Sequence, residues 1–229
     1  AHLTGTYVVP RSQIPGYLEV QIPKDLIDRA NTARFEAAQE ARNRFEDACR
    51  KAGVASEWRQ GEGPGVETLS LSARYADLAV VSQRNPDGDS FETGEMPDRF
   101  ILSSGRPSLL VPYAGTFPKV GHTVVVAWDA SRLATRAVND ALPILRKAAK
   151  VHILAIDPKG GVEGHGDVPG ADIWLHLARH GVKAEASSLR ADDIGIGDAL
   201  LSRAADFGAD LIVMGAYGHA RWRELVLGG

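Results

Sequence analysis

Four glycines, Gly215, Gly218, Gly228 and Gly229, punctuate the segment Gly215-Ala216-Tyr217-Gly218-His219-Ala220-Arg221-Trp222-Arg223-Glu224-Leu225-Val226-Leu227-Gly228-Gly229, directly after the apolar run Leu211-Ile212-Val213-Met214. Glycine lets a backbone turn sharply and approach a ligand with no side chain between, and the free N–H groups of a helix start favour a phosphate. A glycine-rich stretch that follows a strand and opens a helical pattern therefore suits a bound phosphate. A carboxylate, Asp129, ends a second apolar run, Thr123-Val124-Val125-Val126-Ala127-Trp128. Such a group accepts hydrogen bonds from a ribose or a base edge. The two features meet only if their strands are neighbours, because ligands of open α/β sheets bind beyond the carboxyl ends of strands where the order reverses. The plainer reading keeps the glycines as a tight strand-to-helix turn and Asp129 as a capping or surface carboxylate.

Other reactive residues carry weaker patterns. His176 and His180 are four apart and share a helix face, as two metal ligands would. Leu177 rather than Glu follows His176 and no third ligand is evident, so both read as solvated or partly buried histidines. The single cysteine, Cys49, reads as a small apolar residue. It also excludes an intramolecular disulfide framework or a multi-cysteine metal site, and suits a reducing compartment. The acidic residues of 87–95 lack the EF-hand ligand spacing and read as a mobile loop. Trp58, Trp174 and Trp222 are isolated, and packing is the default for each. With 26 Lys and Arg against 29 Asp and Glu, the net charge of −3 argues against a broad basic face for nucleic acid. Apolar stretches are too short for a membrane span, and the first residues lack a signal-peptide pattern, so a cytoplasmic protein is expected.

The elements that must position these residues repeat. Ala1 to Pro10 is echoed by Ala149 to Pro158, two β-rich runs each ending at a proline, and Tyr75-Ala76-Asp77-Leu78-Ala79-Val80-Val81 is echoed by Gly208-Ala209-Asp210-Leu211-Ile212-Val213-Met214. The continuous apolar runs suit strands buried on both faces of a parallel sheet. The spacing predicts a helix over 24–52, opened by Pro23, with Leu26, Ala30, Ala33, Ala37, Ala41, Phe45, Ala48 and Ala52 on its apolar face. Arg29, Glu36, Glu40, Arg44 and Asp47 form a solvated face. Further helices are expected over 66–75, 171–180 and 196–207. Residues 112–121, with two prolines and two glycines, read as a linker. Ser131 is placed to cap the helix that follows it, and Pro143 to kink that helix. Strands alternating with helices imply βαβ crossovers and an α/β fold.

On these residues the second copy resembles a universal stress protein domain, and nearly the whole chain resembles a tandem of two. The carrying motif is GxxG, nine residues, then Gly followed by Ser or Thr, and Gly215, Gly218 and Gly228 match it. The resemblance implies two Rossmann-like domains of the adenine nucleotide alpha hydrolase type, each with a mainly parallel five-stranded sheet flanked by helices. Residues 1–115 form a degenerate copy and 119–229 the copy with the glycine loop, both incomplete at the chain ends. It implies ATP, with Mg2+, in the second copy, with Asp129 after the first strand and Ala155 lining the adenine pocket. Gly229 stands where the pattern has a hydroxyl residue, a loss like one hydrogen bond to a charged group, about 1.5–3 kcal/mol. Trp128 precedes Asp129 and could stack on a base or obstruct it.

After Val80-Val81-Ser82 the first copy continues as Gln83-Arg84-Asn85-Pro86-Asp87-Gly88-Asp89, with no GxxG, and its acidity repels phosphate. It is expected to serve as structure, in an intramolecular pseudo-dimer or a homodimer. The function implied is regulatory adenine-nucleotide binding during stress. The alternative is a nucleotide-free protein whose surfaces serve dimerisation and docking of a protein partner. No base, nucleophile or metal cluster points to catalysis, and hydrolysis, if any, is expected to be slow. An ATP-pyrophosphatase loop of the Ser-Gly-Gly-x-Asp-Ser type is not met by Asp129-Ala130-Ser131.

Overall fold

A computed structural model describes residues 1–9, 23–83, 85, 96–158, 168–191 and 195–216. The chain divides into two compact units, Ala1–Ala79 with Glu92–Leu109 and Val80–Phe91 with Leu110–Gly229. Strands alternate with helices throughout, as the apolar periodicity predicts.

Strand β1 (His2–Val9) runs parallel to β2 (Ala55–Glu62), with His2 opposite Ala55 and Val9 opposite Glu62. A parallel pair needs a long crossover, supplied by helix α1 (Lys24–Ala52). In its first turn the N–H groups of Leu26 and Ile27 donate to the Pro23 carbonyl, and Gly53 ends it in a left-handed turn. The helix bounds match the expected ones, but the buried face does not. Ala38 and Cys49 are buried, with Ile27, Asn31, Arg34, Ala41 and Phe45 half-buried along the same stripe, whereas Leu26, Ala30, Ala33, Ala37, Ala48 and Ala52 are exposed. The stripe is rotated by about one residue because Phe45 and Cys49 set it: Phe45 packs against Trp58 of β2, with ring centroids 5.7 Å apart, and Trp58 in turn stacks on Tyr7 of β1. Arg29, Glu36, Glu40, Arg44 and Asp47 are exposed as expected.

Helix α2 (Gly65–Ala73) reaches β1 through Thr6 and Ser72, whose hydroxyls are 3.3 Å apart. Strand β3 (Ala79–Ser82), helix α3 (Met96–Ser104) and strand β4 (Ser108–Val111) follow, and β3 pairs with β4. The Arg106 guanidinium donates twice to the Arg74 carbonyl, at 3.2 and 2.8 Å, and so ties the ends of α2 and α3 together. Burial on both faces, expected for the β3 run, is not found, since Val80 is 61% exposed.

In the second unit, β5 (Thr123–Ala127), α4 (Arg132–Leu145), β6 (Lys150–Ile156), α5 (Ala171–Arg179), β7 (Ala184–Leu189), α6 (Ile196–Asp206) and β8 (Leu211–Val213) form a parallel four-stranded sheet among the described residues. Its order is β7-β6-β5-β8. Three consecutive valines make β5 the centre. Val124 and Val126 pack with Val138 and Leu145 of α4 and Ile173 and Leu177 of α5, while Val125 faces the other way, onto Leu154 and onto Leu200 and Ala204 of α6. All three are 0% exposed, so here the continuous apolar run does mark a strand covered on both faces.

Ala209 and Asp210, the dipeptide that leads into β8, anchor this sheet. The Asp210 carboxylate accepts the backbone N–H groups of Gly121 (3.0 Å), His122 (3.1 Å) and Thr123 (3.1 Å), and its own N–H donates to the Thr123 carbonyl (2.9 Å). Gly121 has φ +80°, and a Cβ built on it would lie 2.5 Å from Ile144 Cγ2 near the end of α4. The chain thus enters β5 through a residue that must be glycine. Asp210→Asn leaves one acceptor oxygen for three donors and removes the charge that strengthens them. We expect a loss of about 1–3 kcal/mol, read as a lower urea midpoint by circular dichroism.

Candidate functional site at the carboxyl ends of β5 and β8

From β5 the chain steps outward through β6 to β7, then crosses back to place β8 on the other side of β5. The order reverses between β5 and β8, where open α/β sheets form a crevice beyond their carboxyl ends. Val126 lies opposite Val213, so the residues that follow, Asp129 and Gly215, leave the sheet at the same end of neighbouring strands. The adjacency that the sequence reading required is present.

Asp129 is exposed, and its Oδ1 accepts the Ser131 N–H at 2.9 Å. Between them Ala130 has φ +59°, an uncommon conformation for a residue with a Cβ. Ser131 then caps α4 as expected, its Oγ accepting the Ala134 N–H at 3.1 Å. The turn places the Asp129 carboxylate and the first turn of α4 together at the carboxyl end of β5. That turn contains no acidic residue and opens with Arg132.

Gly215 has a specific neighbour. A Cβ at this position would sit 2.7 Å from Ala134 N, Leu133 C and Leu133 Cβ, so the end of β8 lies directly on the backbone of the first turn of α4. Strand and helix touch here at a distance only glycine permits. This close approach is to the helix, a cause that a strand-to-helix glycine pattern does not reveal. Gly218, Gly228 and Gly229 lie outside the described residues.

Ala155 is 0% exposed on β6, opposite Ser188 of β7. Two residues later Asp157 has φ +46°; its N–H donates to the Leu189 carbonyl (2.9 Å) and its Oδ1 accepts the Ala191 N–H (3.1 Å). Its carboxylate fastens the turn after β6 to the end of β7. Asp157 and Ala130 escaped the sequence reading; the one trace is the Asp157-Pro158 pair, a turn-favouring dipeptide. Trp128 donates its backbone N–H to the Leu154 carbonyl at 2.9 Å, and its side chain packs against the core that holds Val124 and Val126.

The rings of His176 and His180 are 4.6 Å apart. The Arg146 guanidinium occupies the His180 side of the pair, 3.0 Å from Nδ1, and also donates to the His180 carbonyl. The pair therefore joins α4 to the end of α5. Among the described residues, no group of three or more His, Cys, Asp or Glu could hold a metal ion, and no helix is long and apolar enough to cross a membrane. Cys49 is buried against the first unit's core, and the acidic stretch 87–95 lies outside the described residues.

Gly215→Ala drives a methyl into the α4 backbone. Overpacking of this kind costs about 1–3 kcal/mol, and a lower urea midpoint measured without any added ligand is the expected outcome.

No protein-family model matches this sequence, and no curated protein does. The structure is similar to that of a universal stress protein from Archaeoglobus fulgidus DSM 4304, with a TM-score of 0.69 at 16% identity, over 99% of this chain and 79% of that one. A protein from the universal stress protein family of Burkholderia pseudomallei aligns with 46% of this chain and 89% of its own length, at 21% identity and a TM-score of 0.35. The likeness to the Archaeoglobus protein is one of fold: parallel sheets flanked by helices in the Rossmann-like arrangement of a universal stress protein.

Proposed function

We propose that this chain is a regulatory universal stress protein that binds an adenine nucleotide, ATP with Mg2+, at the carboxyl ends of β5 and β8. One observation carries the reading: the strand order reverses where Asp129 and Gly215 leave neighbouring strands. The exposed Asp129 carboxylate suits a ribose or base-edge hydroxyl or amine. Ala155, which the resemblance puts beside the adenine ring, is 0% exposed on β6, so it would underlie such a pocket rather than touch the ring. The glycine segment from Gly215 through Gly218 to Gly228 and Gly229 supplies backbone N–H groups for phosphate. ATP, when bound, would present phosphates to those groups and act as a conformational signal; the residues named bind and orient it. Hydrolysis, if it occurs, is slow.

A second reading, a nucleotide-free protein that works through dimerisation and docking surfaces, draws on two sequence features. Gly229 lacks the hydroxyl of the phosphate pattern, and the first copy has no glycine motif.

Calorimetric titration of the purified protein with Mg-ATP, after denaturing a portion to release any small molecule it carries, separates the two. Saturable binding that weakens about 10- to 100-fold in Asp129→Ala and Gly218→Val, and tightens by a similar factor in Gly229→Ser, is expected for the nucleotide reading. If parent and Gly229→Ser are both empty and ignore Mg-ATP, the docking reading takes its place.

A further inference from the structure

His152 is the buried polar side chain among the described residues of the second unit, 5% exposed in the middle of β6. Its ring lies flat on Phe207, the residue that ends α6, with centroids 3.8 Å apart and planes within 2°. Phe207 begins the segment that returns the chain to the sheet. Its N–H closes onto the Arg203 carbonyl, those of Gly208 and Ala209 onto Ala205 and Ala204, and that of Asp210 onto Thr123. The stack is the contact through which the last turn of α6 rests on a polar group of the sheet.

Four charged side chains face this contact. Lys150 precedes His152 on the same strand, and its Nζ is 3.3 Å from Glu185 Oε2 on β7; that same oxygen is 3.9 Å from His152 Nδ1. From α6, Arg203 lies over the Phe207 ring, 5.8 Å from its centroid, and Arg203 is 3.5 Å from Asp206. An imidazolium formed here would find its carboxylate already shared with Lys150 and its aromatic partner already facing Arg203. Water is the remaining stabiliser, and with the residue 5% exposed little of it reaches the ring. Burial first, and Lys150 second, hold the histidine below its ordinary range, with Glu185 opposing them.

We propose that His152 and Phe207 form a proton-operated latch, closed by the neutral imidazole, that releases the last turn of α6 from the sheet in acid. The latched state binds the proton less well than an open state in which the ring is hydrated. Closure is therefore fully favoured above the histidine's ordinary value, about 6.5, and is lost progressively as pH falls below it. The bound on the effect is about tenfold in the opening constant per pH unit until the latched ring itself titrates. This inference stands apart from the nucleotide reading.

Backbone hydrogen exchange of Phe207, Gly208 and Ala209 at pH 7.5 and 5.5, corrected for intrinsic rates, tests it on the whole protein. Opening in the wild type should rise about tenfold at the lower pH, while amides of α4 and α5 keep their protection. His152→Phe, which keeps an aromatic stack without a titrating group, should give a flat profile. With the series carried on to pH 4.5, Glu185→Gln, on an exposed strand, removes the carboxylate that eases protonation, and its rise should continue to lower pH than the wild type's. An unchanged wild type, a rise that persists in His152→Phe, a loss spread evenly over the unit, or a Glu185→Gln profile identical to the wild type's would each overturn the latch.

Discussion

The arrangement of the second unit depends on β8 lying beside β5, and that pairing begins at a carboxylate. Asp210 gathers three backbone N–H groups that would otherwise be unpaired donors at the start of a central strand. By doing so it sets where β5 starts and which residue of β8 lies opposite it. The consequences run the length of the strands. With Val124, Val125 and Val126 set opposite Leu211, Ile212 and Val213, the two carboxyl ends finish level, and Asp129 and Gly215 leave the sheet together. A slip of one residue would turn the β8 side chains over between the two cores and part the two ends of the crevice.

The two units differ in what secures them. In the second, packing on both faces buries the three central residues of β5, so hydrophobic burial dominates. In the first, β2 is largely exposed and the core is smaller, built from Val9, Ala38, Cys49, Ala73 and Phe100. Helix α1 there is supported along its outer face by exposed ion pairs at helical spacing, Arg42 with Glu46, Arg44 with Glu40 and Arg50 with Asp47. Each such pair contributes a few tenths of a kcal/mol, so the helix owes its place to the Phe45 and Cys49 stripe rather than to its charges.

The bounds of α1 and the positions of α2, α5 and α6 were legible in sequence to within a residue or two, because periodicity, prolines and glycines mark where helices start and stop. The orientation of α1 was not. Alanine is a strong helix former on any face, so a run of alanines at helical spacing reports propensity as readily as burial. Ile27 and Cys49, apolar residues of the true stripe that the alanine face lacks, could have broken the tie. The same holds at the crevice. That a glycine must follow β8 was legible; that α4 is what it must make room for was not, since the helix that fills the space lies some eighty residues earlier in the chain. Apolar runs were equally ambiguous: nearly identical runs mark a strand covered on both sides at β5 and a partly exposed one at β3. Left-handed turns at Ala130 and Asp157, two non-glycine residues, left almost no mark on the sequence.

Gly121 and Gly215 act on the same helix from opposite ends. One brings backbone against Ile144 in the last turn of α4, and the other brings backbone against Leu133 and Ala134 in its first. The two contacts differ in kind: at Gly215 backbone lies on backbone, which cannot swing aside, whereas at Gly121 the neighbour is the Ile144 side chain, which can turn. A side chain at 215 therefore has to displace the start of α4 itself. At 121 it is the left-handed backbone, more than the neighbour, that demands glycine.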